Sequence, residues 1–168
     1  MTSESAATPS SLRRTLTRAQ WLRYRIGRGE QGVLTFEPYK SALLPFWRFR
    51  TVAIARQSAA DLWEKFEQFD EAGDFVGMDM ARKFIQMGMT RAKRYANRAG
   101  GRKYKKGRNG IRDELPKSEN HAGKRDKEQA SLEFREVWMR CRACGGYNKK
   151  KDEFLKERGE WMKAHDLS

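Results

Sequence analysis

The chain has 168 residues and carries 36 Lys+Arg against 22 Asp+Glu, a formal charge of +14. Nine Phe, five Trp, five Tyr and seven Met exclude a disordered polypeptide, and two cysteines exclude a disulfide scaffold. No apolar run approaches the roughly 20 residues of a membrane span, and no zinc-protease, P-loop, catalytic-triad or kinase signature set is present.

Residues 1–12 are small and polar without periodicity, which predicts a disordered tail ahead of one globular domain over 13–168. From Trp21 to Phe36 apolar Leu22, Tyr24 and Ile26 alternate with Arg23 and Arg25, followed by a glycine-bearing loop and Val33–Phe36. That pattern predicts a small N-terminal β-hairpin. Pro38 and Pro45 mark the next stretch as irregular chain anchored by Leu43, Phe46, Trp47 and Phe49. Ser58, with Asp61 three residues on, reads as the N-cap of a helix carrying Leu62, Trp63, Phe66 and Phe69 and ending at Gly73. Asp74 then caps a long helix over about 75–98, closed by Gly100-Gly101. A basic Gly/Lys-rich loop follows over about 100–120, long enough to be a functional segment. Two amphipathic helices finish the chain, about 128–143 and 150–165. The fold class expected is mainly α, strictly α+β with the small hairpin, compact around the helix at 75–98.

The charge is concentrated. Arg82 to Arg112 holds twelve basic residues and no acid, and Ser11 to Gly29 holds six more, all arginine. The remainder has eighteen basic residues against all twenty-two acids, net −4. Such asymmetry points to a polyanionic partner. On the long helix Lys83, Met87, Arg91, Arg94 and Arg98 share one face opposite the apolar stripe Met78, Ala81, Ile85, Met89, Ala92 and Ala96. Dipole complementation explains a residue or two in the last turn, not twelve cations without a carboxylate. The phosphate-binding residues expected are therefore Lys83, Arg91, Arg94 and Arg98, continued by Arg102, Lys103, Tyr104, Lys105, Lys106 and Arg108 in the loop. The Arg-rich N-terminal segment is a second contact, and Tyr95 and Tyr104 are candidates for stacking on bases.

Gly27-Arg28-Gly29-Glu30-Gln31-Gly32 spells G-x-G-x-x-G, but the strand-like Val33–Phe36 and Pro38 stand where a dinucleotide site needs a helix. Glycine turns with Arg28 could still touch a phosphate; a plain turn is the simpler reading. Cys141-Arg142-Ala143-Cys144 is a lone C-x-x-C; His121 and His165 do not complete a zinc set, and the position at a helix C-terminus does not favour a reactive thiol. Glu64, Glu67, Asp70, Glu71, Asp74 and Asp79 crowd a helix junction, which an exposed helix face explains better than a metal does. No metal or cofactor is expected, and the sequence singles out no catalytic residue.

The stretches WLRYRIGRGEQGVLTFEPYKSALLPFWRF (21–49) and GDFVGMDMARKFIQMGMTRAKRYANRAGGRKY (73–104) resemble a family of small proteins catalogued as a domain of unknown function in bacteria, fungi and some large phages. The resemblance covers about residues 20–105, leaves out the two cysteines and implies a compact intracellular domain. It brings no catalytic residue. The function expected is nucleic-acid or polyphosphate binding, the sequence not distinguishing DNA from RNA as the partner. The alternatives are an enzyme acting on a phosphorylated or nucleic-acid substrate, using Glu30, Glu37 or Asp79, and an interaction module docking a protein at Trp47 and Phe49. The location expected is cytoplasmic or nuclear, with a mitochondrial leader as the alternative.

Overall fold

The computed structural model describes residues 8–98, the backbone of 104–105 and 113–114, and residues 122–165. The described residues are mainly helical. Three long helices, α4 (Val52–Glu71), α5 (Phe75–Asn97) and α6 (Lys124–Ala143), pack on one another, and α7 (Gly145–Ala164) lies against α5 and α6. Three short helices precede them: α1 (Pro9–Leu12), α2 (Arg18–Leu22) and α3 (Tyr39–Leu43). A two-residue antiparallel pair, β1 (Tyr104–Lys105) with β2 (Asp113–Glu114), lies within the segment expected as a loop; the rest of 100–120 falls outside the described residues.

The N-terminal hairpin is not formed. Thr17 and Gln20 make a capping box that starts α2, in which Thr17 Oγ1 accepts from the Gln20 amide at 3.1 Å and Gln20 Oε1 from the Thr17 amide at 2.8 Å. After α2 the chain runs in turns to Pro38, with Gly27, Gly29 and Gly32 at positive φ. Carbonyls that a strand would offer to a neighbour, those of Arg25, Gly29 and Gln31, are instead taken by Arg82 and Lys83 of α5. Within the tail expected over 1–12, Pro9–Leu12 form a helical turn with Leu12 buried in the core, and residues 1–7 lie outside the described residues.

Helix α4 begins at Thr51, whose Oγ1 accepts from the Ile54 amide at 3.1 Å, and not at Ser58. Ser58 is buried in mid-helix; it donates to the Phe46 carbonyl at 2.6 Å and accepts from the Arg48 amide at 3.0 Å, tying the proline-rich stretch to the bundle. The turn into α5 is the one the sequence predicts. Gly73 takes a φ of +68°, and Asp74 caps the helix by accepting from the Gly77 amide at 3.1 Å. Asp74 also accepts from Trp21 Nε1 at 3.0 Å and from the Tyr39 hydroxyl at 2.5 Å, so one carboxylate pins α2 and α3 to the start of α5.

Helix α5 is the centre of the fold. Every residue from Asp74 to Ile85 is buried, and a Cβ on Gly88 would fall 2.6–2.7 Å from ring carbons of Phe134 on α6. Tyr147 and Phe154 of α7, seven residues apart on one helix face, meet Phe75 at ring separations of 5.5 and 5.1 Å. Among the described residues no helix is long and apolar enough to cross a membrane.

Candidate nucleic-acid interface

The helix face expected to project a basic stripe is largely covered. Lys83 and Met87 are fully buried and Arg98 is 7% exposed; Arg91 and Arg94 are half-buried, and Lys93 and Tyr95 are exposed. From Arg82 to Thr90 the cover is the turn segment 25–32. Lys83 Nζ donates to the Arg25 carbonyl at 2.9 Å and the Gln31 carbonyl at 2.8 Å and sits 4.6 Å from the Tyr24 ring centroid. Arg82 donates to the Gly29 carbonyl, and Glu30 accepts from the Thr90 hydroxyl at 2.8 Å. Lys83 is thus corrected from a surface contact to a buried clamp on the glycine turns, its burial pushing its pKa down to about 8. Arg102, Lys103, Lys106 and Arg108 lie outside the described residues, as do the side chains of Tyr104 and Lys105.

Beneath the same turns lies a buried polar cluster that sequence patterns do not reveal. Asp79 Oδ1 accepts from Arg82 Nε at 3.0 Å, Arg82 Nη2 at 2.7 Å and the Tyr147 hydroxyl at 2.7 Å; Oδ2 accepts from the Tyr24 hydroxyl at 2.5 Å. Burial first, and then the Asp79 charge, raises the pKa of both tyrosines. Burial opposes the charge of Arg82, and Asp79 together with Tyr147 and Tyr24 more than offsets it, leaving the guanidinium pKa raised. All of Asp79's accepting oxygen is therefore engaged within the protein, which makes it an anchor for three elements.

Two clefts flank the Gly27 turn. The smaller, about 330 Å³, is walled by Arg82 and Gln86 of α5, Trp138 and Arg142 of α6, and Tyr147, Asn148 and Lys151 of α7, with Gly27 and Gly29 on the fourth side. The larger, about 710 Å³, is lined by Arg23, Arg25, Gln31 and Phe36 of the turn segment and by Leu155, Arg158 and Met162 of α7. Ile26 and Gly27 belong to both. Six cations line the pair and no carboxylate does. A third cleft, about 480 Å³ beside α1 and α2, mixes Arg13, Arg18, Lys150 and Lys156 with Glu153, Glu157 and Glu160, and there Arg18 is paired with Glu157. The N-terminal arginines thus divide: Arg23 and Arg25 face an acid-free cleft, while Arg13 and Arg18 pack over Trp21, 4.3 and 4.8 Å from its ring centroid.

Sequence reasoning missed Arg142, Lys151 and Arg158. The available signal was a helix break at Gly145-Gly146 followed by Lys149-Lys150-Lys151, which puts three cations at a helix start, where acids are favoured. The other patterns resolve as structure. Cys141 is buried and Cys144 half-buried, both free thiols, with burial pushing the Cys141 pKa up. Asp70 pairs with Lys150 at 2.5 Å, and among the described residues no group of three His, Cys, Asp or Glu side chains could hold a metal. Trp47 and Phe49 are half-buried and packed together at 5.2 Å, with Phe49 against Tyr95 at 5.8 Å.

These features define a small helical domain, organised by one buried helix that carries a polar cluster and indented by two carboxylate-free cationic clefts. Over residues 10–157 the chain matches the sequence profile of the domain of unknown function DUF4385, and it belongs to that family. The match includes Cys141 and Cys144, beyond the stretches at 21–49 and 73–104 that carry the resemblance. No curated protein and no solved structure shows significant similarity to it.

Proposed function

We propose that this protein binds nucleic acid, or a polyphosphate of similar charge density, in the two adjoining clefts beside the Gly27 turn, with Arg91, Arg94 and the 102–108 segment as further contacts. The observation that carries this reading is the lining of those clefts: Arg23, Arg25, Arg82, Arg142, Lys151 and Arg158, with no carboxylate. A concave surface of one sign focuses the field and concentrates an anionic ligand. Arg82 is already paired with Asp79; displacement of counterions by the other five corresponds to a slope of about −4.5 in log K against log salt for duplex DNA.

The enzyme alternative draws less support. Of the three carboxylates expected to serve it, Asp79 is fully engaged, Glu30 holds Thr90, and Glu37 accepts from the Ser41 amide at 2.7 Å. The test is fluorescence anisotropy at low salt with labelled single-stranded DNA, duplex DNA and RNA. Salt-sensitive binding that is weakened by Arg23→Glu with Arg158→Glu is expected. Failure to bind any of the three would overturn the reading.

A further inference from the structure

The smaller cleft carries two side-chain amides whose orientation the fold sets. Gln86 Oε1 accepts from Arg82 Nη1 at 2.8 Å and from Trp138 Nε1 at 3.2 Å. Two donors on that oxygen leave Nε2 on the Gly29 side, where a glycine Cβ would lie 3.1 Å from it. Asn148 is held in the opposite sense. Its Nδ2 donates to the Arg142 carbonyl at 3.0 Å and the Cys144 carbonyl at 3.1 Å, so Oδ1 turns away from the backbone. The walls therefore offer one oriented donor group, Gln86 Nε2, and one oriented acceptor, Asn148 Oδ1.

A bare phosphate only accepts hydrogen bonds, so an oriented acceptor beside it is a liability. A nucleobase edge, by contrast, presents donors and acceptors side by side. The remaining groups fit the rest of a nucleotide. Exposed Arg142 lies over the Trp138 ring, its Cζ 4.8 Å from the centroid, and a guanidinium backed by indole offers its outer face to another planar ring. Lys151 stands three residues beyond Asn148 on the same side of α7 and supplies an ammonium for phosphate. The volume of about 330 Å³ is at the small end of the range of about 300–1,000 Å³ for small-ligand sites, which suits one nucleotide.

We propose that the cleft between α5, α6, α7 and the Gly27–Gly29 turn takes a single nucleotide unit, its base edge on Gln86 and Asn148, its base plane over Arg142 and its phosphate toward Lys151. The assignment rests on the polyanion-binding reading and names the ligand unit of that same surface.

The test is isothermal titration of the full chain at low salt with AMP, GMP, CMP and UMP, with ribose 5-phosphate and with inorganic phosphate. At least one nucleoside monophosphate is expected to bind tenfold or more tightly than ribose 5-phosphate. Asn148→Ala should bring that ratio toward one while leaving ribose 5-phosphate unchanged, and Lys151→Ala should weaken all the phosphates together. Both side chains are outside the core, and circular dichroism checks that the variants fold. Competition by a trinucleotide would assign the unit to a strand, and its absence would assign it to a free nucleotide; either accords with the site. If no nucleotide binds, if ribose 5-phosphate binds as tightly as every nucleotide, or if Asn148→Ala leaves the ratio unchanged, the nucleotide site is overturned. Binding of long nucleic acid in the anisotropy assay would then still support the broader reading, whereas its loss as well would overturn both.

Discussion

Replacing Asp79 with asparagine keeps the shape of the central polar cluster and removes its only carboxylate. In the native protein that carboxylate receives four hydrogen bonds, two from Arg82 and one each from Tyr24 and Tyr147, and it is fully buried. An amide puts an NH₂ group where one oxygen stood, so either Tyr24, or Arg82 together with Tyr147, then faces a donor. Arg82, 6% exposed, and Lys83, fully buried, also lose the carboxylate that compensates them. Removing one partner of a buried pair costs about 3–5 kcal/mol. In a chain of this length each kcal/mol moves the melting temperature by about 2–4 °C, so Asp79→Asn should melt about 6–20 °C below the wild type. The assay is thermal denaturation by circular dichroism, repeated in urea. Because the penalty is mostly an uncompensated charge, adding Arg82→Met to Asp79→Asn should cost less than the sum of the two single changes. A loss under about 3 °C for Asp79→Asn, or strict additivity in the double variant, would refute this account of the cluster.

Lys83 gives a pH signature: its folded pKa of about 8 lies below its ordinary value, so between about 8 and 10.5 the unfolded chain binds more protons and stability rises with pH. The buried tyrosines and Cys141 act in the opposite sense at alkaline pH, so the check is the difference between wild type and Lys83→Met in urea melts at pH 7, 8 and 9, which should grow in favour of the wild type. Gly88→Ala drives a methyl into the Phe134 ring at 2.6–2.7 Å, and the urea midpoint should fall by the equivalent of about 1–3 kcal/mol. Gly29→Ala combines a φ of +56° with a Cβ 3.1 Å from Gln86 Nε2, so it should lose about 1–2 kcal/mol and weaken nucleotide binding, while Gly145→Ala, with nothing within 4 Å, leaves binding unchanged by titration.

Local signals located the long helices and nonlocal contacts decided the site. The start of α5 was legible because an acidic cap, a preceding glycine and a dense apolar run all sit within a few residues. Helix α2 was not, because Leu22, Tyr24 and Ile26 imitate a two-residue period over a window too short to exclude a helix. The better signal there was the spacing of Thr17 and Gln20, the two halves of a capping box. Similarly, β-branched Val52 and Ile54 masked the cap at Thr51 and shifted the expected start of α4 toward Ser58. The fate of Lys83 lies beyond any window, since its carbonyl partners are 58 and 52 residues away in the chain. A helical wheel gives its angle on α5 but is silent about what covers that face.

The covering segment also decides what becomes of the charge. The end of the first acid-free run and the residues just after it lie on the start of the second, and the backbone carbonyls of Arg25 and Gln31 hold the buried Lys83. Carbonyl dipoles satisfy an ammonium's donors without cancelling its formal charge, whereas a carboxylate does both. Of the adjacent cations Arg82 and Lys83, only Arg82 hydrogen-bonds directly to Asp79, so the pair retains a net positive charge at neutral pH under the turn that separates the two clefts. Burial therefore removes Lys83 from contact with a ligand and leaves it as a source of field on both sides of the Gly27 turn. The cationic face expected on α5 is in this sense displaced, its potential carried through a layer of glycine-rich backbone to clefts whose own side chains add no opposing charge.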